Sequence, residues 1–192
     1  MTDHILHSPG VLPQEACSNV INTFELHKDL HEEGKLGQGR VEHENKKCTE
    51  IYVSYKRDTD FYLYIVGYLK PSLEEYKRLY PFVDKLAHWE ICDQLKIQKY
   101  LPNEGFFKTH CENEGQDDSS SKRVLAWMIY LNEVLDGGHT EFPSQNKAFQ
   151  PRTGDILIWP AHFTHPHHGV TSETQTKYIA TGWYSYNSKS HS

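Results

Sequence analysis

The hydrophobic period of this chain changes near Gln94, and the change limits the folds open to it. Before that point apolar residues recur at helical spacing. After it they alternate or run together in short blocks bounded by turn residues. Pro13 followed by Gln14 to His27 predicts a short amphipathic helix with Pro at its entry. Residues 28 to 50 are polar and punctuated by Gly34, Gly37 and Gly39, which predicts an exposed loop. From Phe61, the residues Tyr62, Ile65, Val66 and Leu69 repeat at helical spacing until Pro71, where a break is expected. Ser72-Leu73-Glu74-Glu75 then reads as a capping box opening a new helix, with Leu73, Tyr76, Leu79 and Tyr80 inward.

The second half reads as sheet. Leu95 and Ile97 alternate with Gln94, Lys96 and Gln98, and Val124 to Leu131 is a β-prone run suited to a central strand. Asp155 to Trp159 and Thr176 to Tyr186 supply two more strands. Turns are expected at Asn113 to Ser121 (with a mobile Gly115 to Ser121), Asp136 to Gly138 and Pro151 to Gly154. Short strands following a helical half predict a jelly-roll or barrel buttressed by helices.

Composition narrows the function. The chain has 192 residues, enough for one domain with a real core. Its net charge of −6 argues against a nucleic-acid partner, which basic surfaces gather by counterion release. The longest uncharged apolar stretch, Phe61 to Leu69, is nine residues, far short of the roughly 20 that span a bilayer. No basic leader with an apolar core opens the sequence, so no signal peptide and no membrane partner are expected. Cys17, Cys48, Cys92 and Cys111 form no C-x-x-C, which predicts reduced thiols and a cytoplasmic location.

Thirteen histidines are present, and His162, His165, His167 and His168 fall within seven residues. A His-x-acid pair on a strand puts both side chains on one face, and a second His from a neighbouring strand completes a 2-His-1-carboxylate set with three open metal positions. The pair occurs five times: His27/Asp29, His31/Glu33, His88/Glu90, His110/Glu112 and His139/Glu141. The first two lie in or beside the first helix, where i and i+2 face apart. His88/Glu90 precedes any strand, and His139/Glu141 sits too close to the histidine cluster to leave room for intervening strands. His110/Glu112 remains, with His167 57 positions beyond His110, enough to carry the chain across a jelly-roll. The residues thus offer a metal site at His110/Glu112 plus one cluster histidine, against scattered surface histidines with no ligand role.

Five stretches in order give the chain a resemblance from about Leu95 to Tyr184. They are Ile97-Gln98-Lys99-Tyr100; Gly105-Phe106-Phe107-Lys108-Thr109-His110-Cys111-Glu112; Trp127-Met128-Ile129-Tyr130-Leu131-Asn132 with Gly137-Gly138-His139-Thr140-Glu141-Phe142; Gly154-Asp155-Ile156-Leu157-Ile158-Trp159-Pro160; and Thr164-His165-Pro166-His167-His168-Gly169 with Thr176-Lys177-Tyr178. The set resembles the 2-oxoglutarate- and Fe(II)-dependent oxygenases of the prolyl 4-hydroxylase type. The resemblance implies an α+β, mainly β chain: a double-stranded β-helix (jelly-roll) catalytic core over 93–187, supported by helices and loops of 1–92, in a single domain of 1–192.

The resemblance implies His110, Glu112 and His167 as iron ligands, with His168 and His165 as alternatives to His167. Lys177, ten residues after His167, would pair with the distal carboxylate of 2-oxoglutarate. Tyr130 would help hold that carboxylate, and Tyr100 would lie near the cosubstrate's other end. Trp159 and Trp183 are expected to line the cavity or, preferentially, to pack in the core. Two features depart from the pattern: Glu112 stands where aspartate is usual, and the distal histidine is ambiguous. The implied cofactors are Fe(II), 2-oxoglutarate and O2, with ascorbate as a reductant. The implied reaction is hydroxylation of a C–H bond, preferably of a prolyl residue in a peptide or protein, coupled to decarboxylation of 2-oxoglutarate to succinate. An oxygenase acting on a free amino acid, small molecule or nucleic-acid base, and a non-catalytic metal-binding jelly-roll, are the alternatives. The loops at 34–50 and 113–121 are the expected substrate contacts.

Overall fold

The computed structural model describes residues 3–36, 39–115 and 117–186. Gly37 and Gln116 of the expected loops, and residue 187 of the expected core, lie outside these. The strands are β1 (Leu6–Ser8), β2 (Glu32–Glu33), β3 (Lys46–Lys47), β4 (Thr49–Ser54), β5 (Trp89–Ile91), β6 (Gln94–Tyr100), β7 (Gly105–Phe106), β8 (Arg123–Tyr130), β9 (Thr140–Phe142), β10 (Lys147–Phe149), β11 (Ile156–Pro160), β12 (His168–Gly169) and β13 (Lys177–Tyr186). Among the described residues four α-helices accompany them: α1 (Gln14–Leu26), α2 (Thr59–Gly67), α3 (Leu69–Leu79) and the single turn α4 (Asp118–Ser121). The main sheet is antiparallel in the order β1-β11-β8-β13-β6-β4-β2, with β5 added to β13. A small sheet β10-β9-β12 and a pair β3-β7 make the opposing layer, giving the expected jelly-roll.

Strand alternation sorts the main sheet into two chemical faces. Trp127 and Ile129 of β8, Leu95 and Ile97 of β6, Ile51 and Val53 of β4 and Ile156 and Ile158 of β11 form one cluster. The same cluster takes in Ala16, Cys17, Val20 and Phe24 of α1, Tyr62 and Ile65 of α2, and Leu69 and Tyr76 of α3. That is the buttress: amphipathic helices cover one face of the sheet. The other face carries Met128, Tyr130, Tyr100, Ile179 and Trp159, which meet Phe142 of the small sheet in a second cluster. The site lies on this second face.

Three expectations need correction. The segment 28–50 is not simply an exposed loop: Lys46, Cys48 and Glu50 are buried, and Thr49–Ser54 is a strand of the main sheet. Its polar residues satisfy one another, so polarity did not mean exposure. Secondly, Pro71 does not break the helical run. The break falls at Tyr68, and Pro71 occupies the first turn of α3, where its missing N–H has no helical acceptor to lose. Ser72 therefore lies inside the helix and is buried, not a cap, and Leu79 faces solvent. Thirdly, the turn expected over Asn113 to Ser121 ends in the short helix α4, which Asp117 caps by accepting from the backbone N–H groups of Ser119 and Ser120.

Candidate metal centre and its cavity

His110 and His167 meet across an isolated antiparallel bridge, each backbone N–H donating to the other's carbonyl at 3.0 and 2.8 Å. That bridge fixes their side chains as neighbours, with rings 4.4 Å apart. His110 Nδ1 lies 2.9 Å from the Lys108 carbonyl and His167 Nδ1 lies 3.1 Å from the His165 carbonyl. A carbonyl can only accept, so each Nδ1 carries the proton and each Nε2 presents a lone pair. Both Nε2 atoms face one carboxylate oxygen, Glu112 Oε1, at 3.7 and 3.3 Å. Among the described residues, this is the one group of three or more His, Cys, Asp or Glu side chains whose ligand atoms converge, all within 4.8 Å.

The donor set fits a divalent metal. With bonds of ~2.1 Å, the edges of a coordination polyhedron are roughly 3.0–3.4 Å, close to the two measured edges. Nitrogen and carboxylate donors in this combination suit iron(II). Phe106 stacks on His110 at 3.7 Å, while Phe142 and the edge of Trp159 hold His167. Burial, and next the facing His167, pull the His110 pKa down, so the ring is held neutral. Burial alone would raise the pKa of Glu112; its contacts with His110 and His167 outweigh this and hold the carboxyl well below its usual range.

The triad opens onto a cavity of about 310 Å³. Lys177 forms part of its wall, buried, with Nζ donating to the Gly138 carbonyl at 2.9 Å and lying 4.9 Å from the Tyr100 ring. Among the described residues no carboxylate pairs with it. Burial pulls its pKa down to about 8. The turn that supplies its carbonyl partner needs glycine twice. Gly137 and Gly138 have φ of +76° and +72°, and a Cβ would lie 2.2 Å from the Thr171 carbonyl or 2.7 Å from Val134.

Tyr100 also lines the cavity, and its hydroxyl donates to Gln98 Oε1 at 3.0 Å. Tyr130 is fully buried behind the wall. Its hydroxyl is engaged by Thr140 Oγ1 at 2.7 Å and the Phe149 carbonyl at 3.0 Å, and it is Thr140 that reaches the cavity. His165 lies outside the triad, with Nε2 at the Asp3 carbonyl and Nδ1 at Thr164. His168 turns to Glu141 instead. His88 and Glu90 are an exposed pair 3.8 Å apart. Lys35 and Lys46 from the 34–50 segment and Glu114 and Asp117 from the 113–121 segment line the cavity.

Trp183 does more than pack. It lines the cavity and donates its indole N–H to Glu112 Oε2 at 2.8 Å. The signal for it was present: Lys177, Ile179, Thr181 and Trp183 share one strand face by period two, and all four line the cavity. Glu50 was also missed. It is fully buried, held by Lys46 at 2.6 Å, Gln98 at 2.7 Å, Tyr52 at 2.8 Å and Lys96 at 3.1 Å, and its pKa falls to about 2 because the two lysines and the hydrogen bonds from Lys46 and Gln98 outweigh the effect of burial.

Residues 95–185 match the 2OG-Fe(II) oxygenase superfamily. The resemblance carried by the ordered motifs is thereby borne out, and the triad and Lys177 both fall inside the matched segment. A protein of Acanthamoeba polyphaga mimivirus, named as a prolyl 4-hydroxylase, is 32% identical over 107 residues, covering 48% of this chain and 44% of the relative. The mouse procollagen-lysine,2-oxoglutarate 5-dioxygenase 1 is 24% identical over 181 residues, or 90% of this chain and 23% of the relative. The chain thus spans less than half the length of these curated relatives. Among solved structures, the collagen prolyl hydroxylase of Paramecium bursaria Chlorella virus-1 aligns with a TM-score of 0.71 at 17% identity, over 96% of this chain and 97% of that one. A prolyl hydroxylase of Trichoplax adhaerens, solved with a hypoxia-inducible-factor peptide, gives 0.74 at 17% identity, over 96% and 84%. At that identity the structural likeness establishes the jelly-roll fold alone. No helix among the described residues is long and apolar enough to cross a membrane.

Proposed function

We propose that this chain is an Fe(II)- and 2-oxoglutarate-dependent dioxygenase that hydroxylates a prolyl residue in a peptide or protein. One observation carries the reading: a buried lysine with no carboxylate partner among the described residues shares a cavity with a converged His-Glu-His set. A buried ammonium without an anion is costly, and a bound dicarboxylate would supply the missing charge. A structural metal site has no use for such a cation.

His110, Glu112 and His167 would hold the iron. When bound, iron(II) supplies the oxygen chemistry that couples decarboxylation of 2-oxoglutarate to hydroxylation of a C–H bond. The chain's own residues do the rest. Lys177 binds the distal carboxylate, and the Gly138 carbonyl keeps its ammonium aimed at the cavity. Tyr100 forms the floor beside it, at the end of the distal carboxylate rather than at the other end expected from the resemblance. Tyr130 acts one layer back by holding Thr140 at the wall, so Thr140 takes the hydroxyl role expected of Tyr130. Phe106, Trp159 and Phe142 wall the imidazoles and limit water at the centre. The prolyl preference rests on the relatives' names. The four cysteines are free thiols, which suits a reducing compartment such as the cytoplasm.

The test is succinate formation with Fe(II), ascorbate, O2 and 2-oxoglutarate, run with and without prolyl peptides, and titration of 2-oxoglutarate into the Fe(II)-loaded protein under nitrogen. The expected results are peptide-stimulated succinate release and a new visible absorption band. Absence of both overturns the dioxygenase reading; succinate release unaffected by any prolyl peptide overturns the substrate.

A further inference from the structure

Glu112 is one methylene longer than the aspartate usual at its place, and the structure shows what occupies the extra reach. Its outer oxygen, Oε2, accepts the Trp183 indole N–H at 2.8 Å and lies 3.6 Å from Arg123 Nη1. The same Nη1 donates to the Glu112 backbone carbonyl at 2.8 Å. The Arg123 guanidinium carbon in turn lies over the Trp183 ring, 3.7 Å from its centroid. The three side chains close a loop in which each fixes the other two. Trp183 has room to lean over the cavity because its cross-strand neighbour on β8 is Ala126.

We propose that Trp183 and Arg123 are positioning residues that clamp Glu112 so that it offers the metal one oxygen, Oε1, and not two. The inference rests on the metal-centre reading above. An unclamped glutamate can swing both oxygens toward a cation, and a bidentate carboxylate fills one of the three positions that a 2-His-1-carboxylate centre leaves open. Here Oε2 is spent on an indole that can only donate, while Oε1 faces both imidazole nitrogens. The clamp also explains how a longer ligand is accommodated: the added length reaches Trp183 while the near oxygen stays between the histidines. A shortened side chain at this position cannot reach the indole and the histidine nitrogens together.

The test uses Co(II), a redox-quiet stand-in, with the full chain. Affinity is read by calorimetry and coordination by the visible spectrum, for wild type, Trp183→Phe, Arg123→Gln, Glu112→Asp and Glu112→Asp/Trp183→Phe. Trp183→Phe keeps the ring but loses the N–H. It should weaken Co(II) binding about 10- to 100-fold, the usual effect of losing a ligand's hydrogen-bond partner, and change the spectrum. Arg123→Gln should weaken it less, with a change of the same kind, and it serves as the reporter if Trp183→Phe does not fold. In the Glu112→Asp background, Trp183→Phe should have no further effect, because the contact is already gone. Wild-type affinity and spectrum in the folded single variants overturn the clamp. Additive losses in the double variant also overturn it, since they would mean that Trp183 acts by packing alone. Failure of the wild type to bind Co(II) overturns the metal reading itself, and the clamp with it.

Discussion

Two His-x-Glu pairs lie close together in this molecule, and each has a second histidine beside it. His110/Glu112 meets His167; His139/Glu141 meets His168. In the first, both Nε2 atoms face the same carboxylate oxygen, and the other oxygen is held by Trp183. In the second, the histidines take opposite oxygens of Glu141, at 2.9 and 3.2 Å, so the carboxylate sits between them and closes the space a cation would need. The side chains of the first set are 10%, 13% and 6% exposed; those of the second are 23%, 40% and 23%. The same residue types at the same spacing therefore make a group that could hold a metal ion in one place and a surface ion-pair cluster in the other. The difference lies in what holds the carboxylate's far oxygen and what fixes each Nδ1.

The largest effect should separate the two clusters outright. His110→Ala should abolish Co(II) or Fe(II) binding, whereas His139→Ala should leave it at the wild-type level. Equal losses by calorimetry would show that the wrong pair has been taken as the centre. Next in size is Lys177→Ala, which removes the unpaired cation without touching the triad. Losing one partner of a buried charge pair costs about 2–5 kcal/mol, so the KM for 2-oxoglutarate should rise from ~30-fold to several thousand-fold while metal affinity holds. An unchanged KM would remove Lys177 as the anchor. Glu112→Asp should weaken metal binding ~10- to 100-fold yet retain measurable turnover, because the ligand atom type is unchanged. Complete loss would mean that the clamp is indispensable.

The smallest effect is that of pH. Burial sets the Lys177 pKa at about 8, and a bound dianion would raise it. Lys177 is charged below pH ~8 in the free protein, so 2-oxoglutarate affinity should be flat there. Above it, binding must take up a proton, and affinity should fall by up to about tenfold per pH unit. Lys177→Ala should abolish that slope. The same slope in the variant would assign it to another group.

Legibility in the sequence followed the range of the forces involved. The strands β6 and β13 were readable to within a residue or two because alternation is set by the two faces each strand must satisfy, and β8 and β11 because a strand buried on both faces reads as a short continuous apolar run. The helix α1 was readable for the corresponding reason. The boundary at Pro71 was misplaced because proline in a first turn and proline as a breaker look alike without the preceding turn in view. β4 was missed because its face bearing Glu50 and Tyr52 is polar yet buried, and only partners from β3 and β6 make that burial tolerable. Core packing was the favoured role for Trp183 because period two puts it on the Lys177 face but does not show that its indole also donates to a carboxylate across the cavity.

The sequence alone showed which residue types can serve as ligands, since residue type and spacing along a strand are local properties, and the ordered motifs pointed to Lys177 as the proposed cation for a dicarboxylate. It also narrowed the distal ligand to a cluster of histidines. Only the tertiary structure shows which of them converges with His110 and Glu112. His165 is consumed by the Asp3 carbonyl and His168 by Glu141, leaving His167 opposite His110 across the bridge. It likewise decided that Glu112, and not Glu141, has its outer oxygen taken and its inner one free. Those choices depend on hydrogen-bond partners between 11 and 162 residues away in the chain, and no local pattern encodes them.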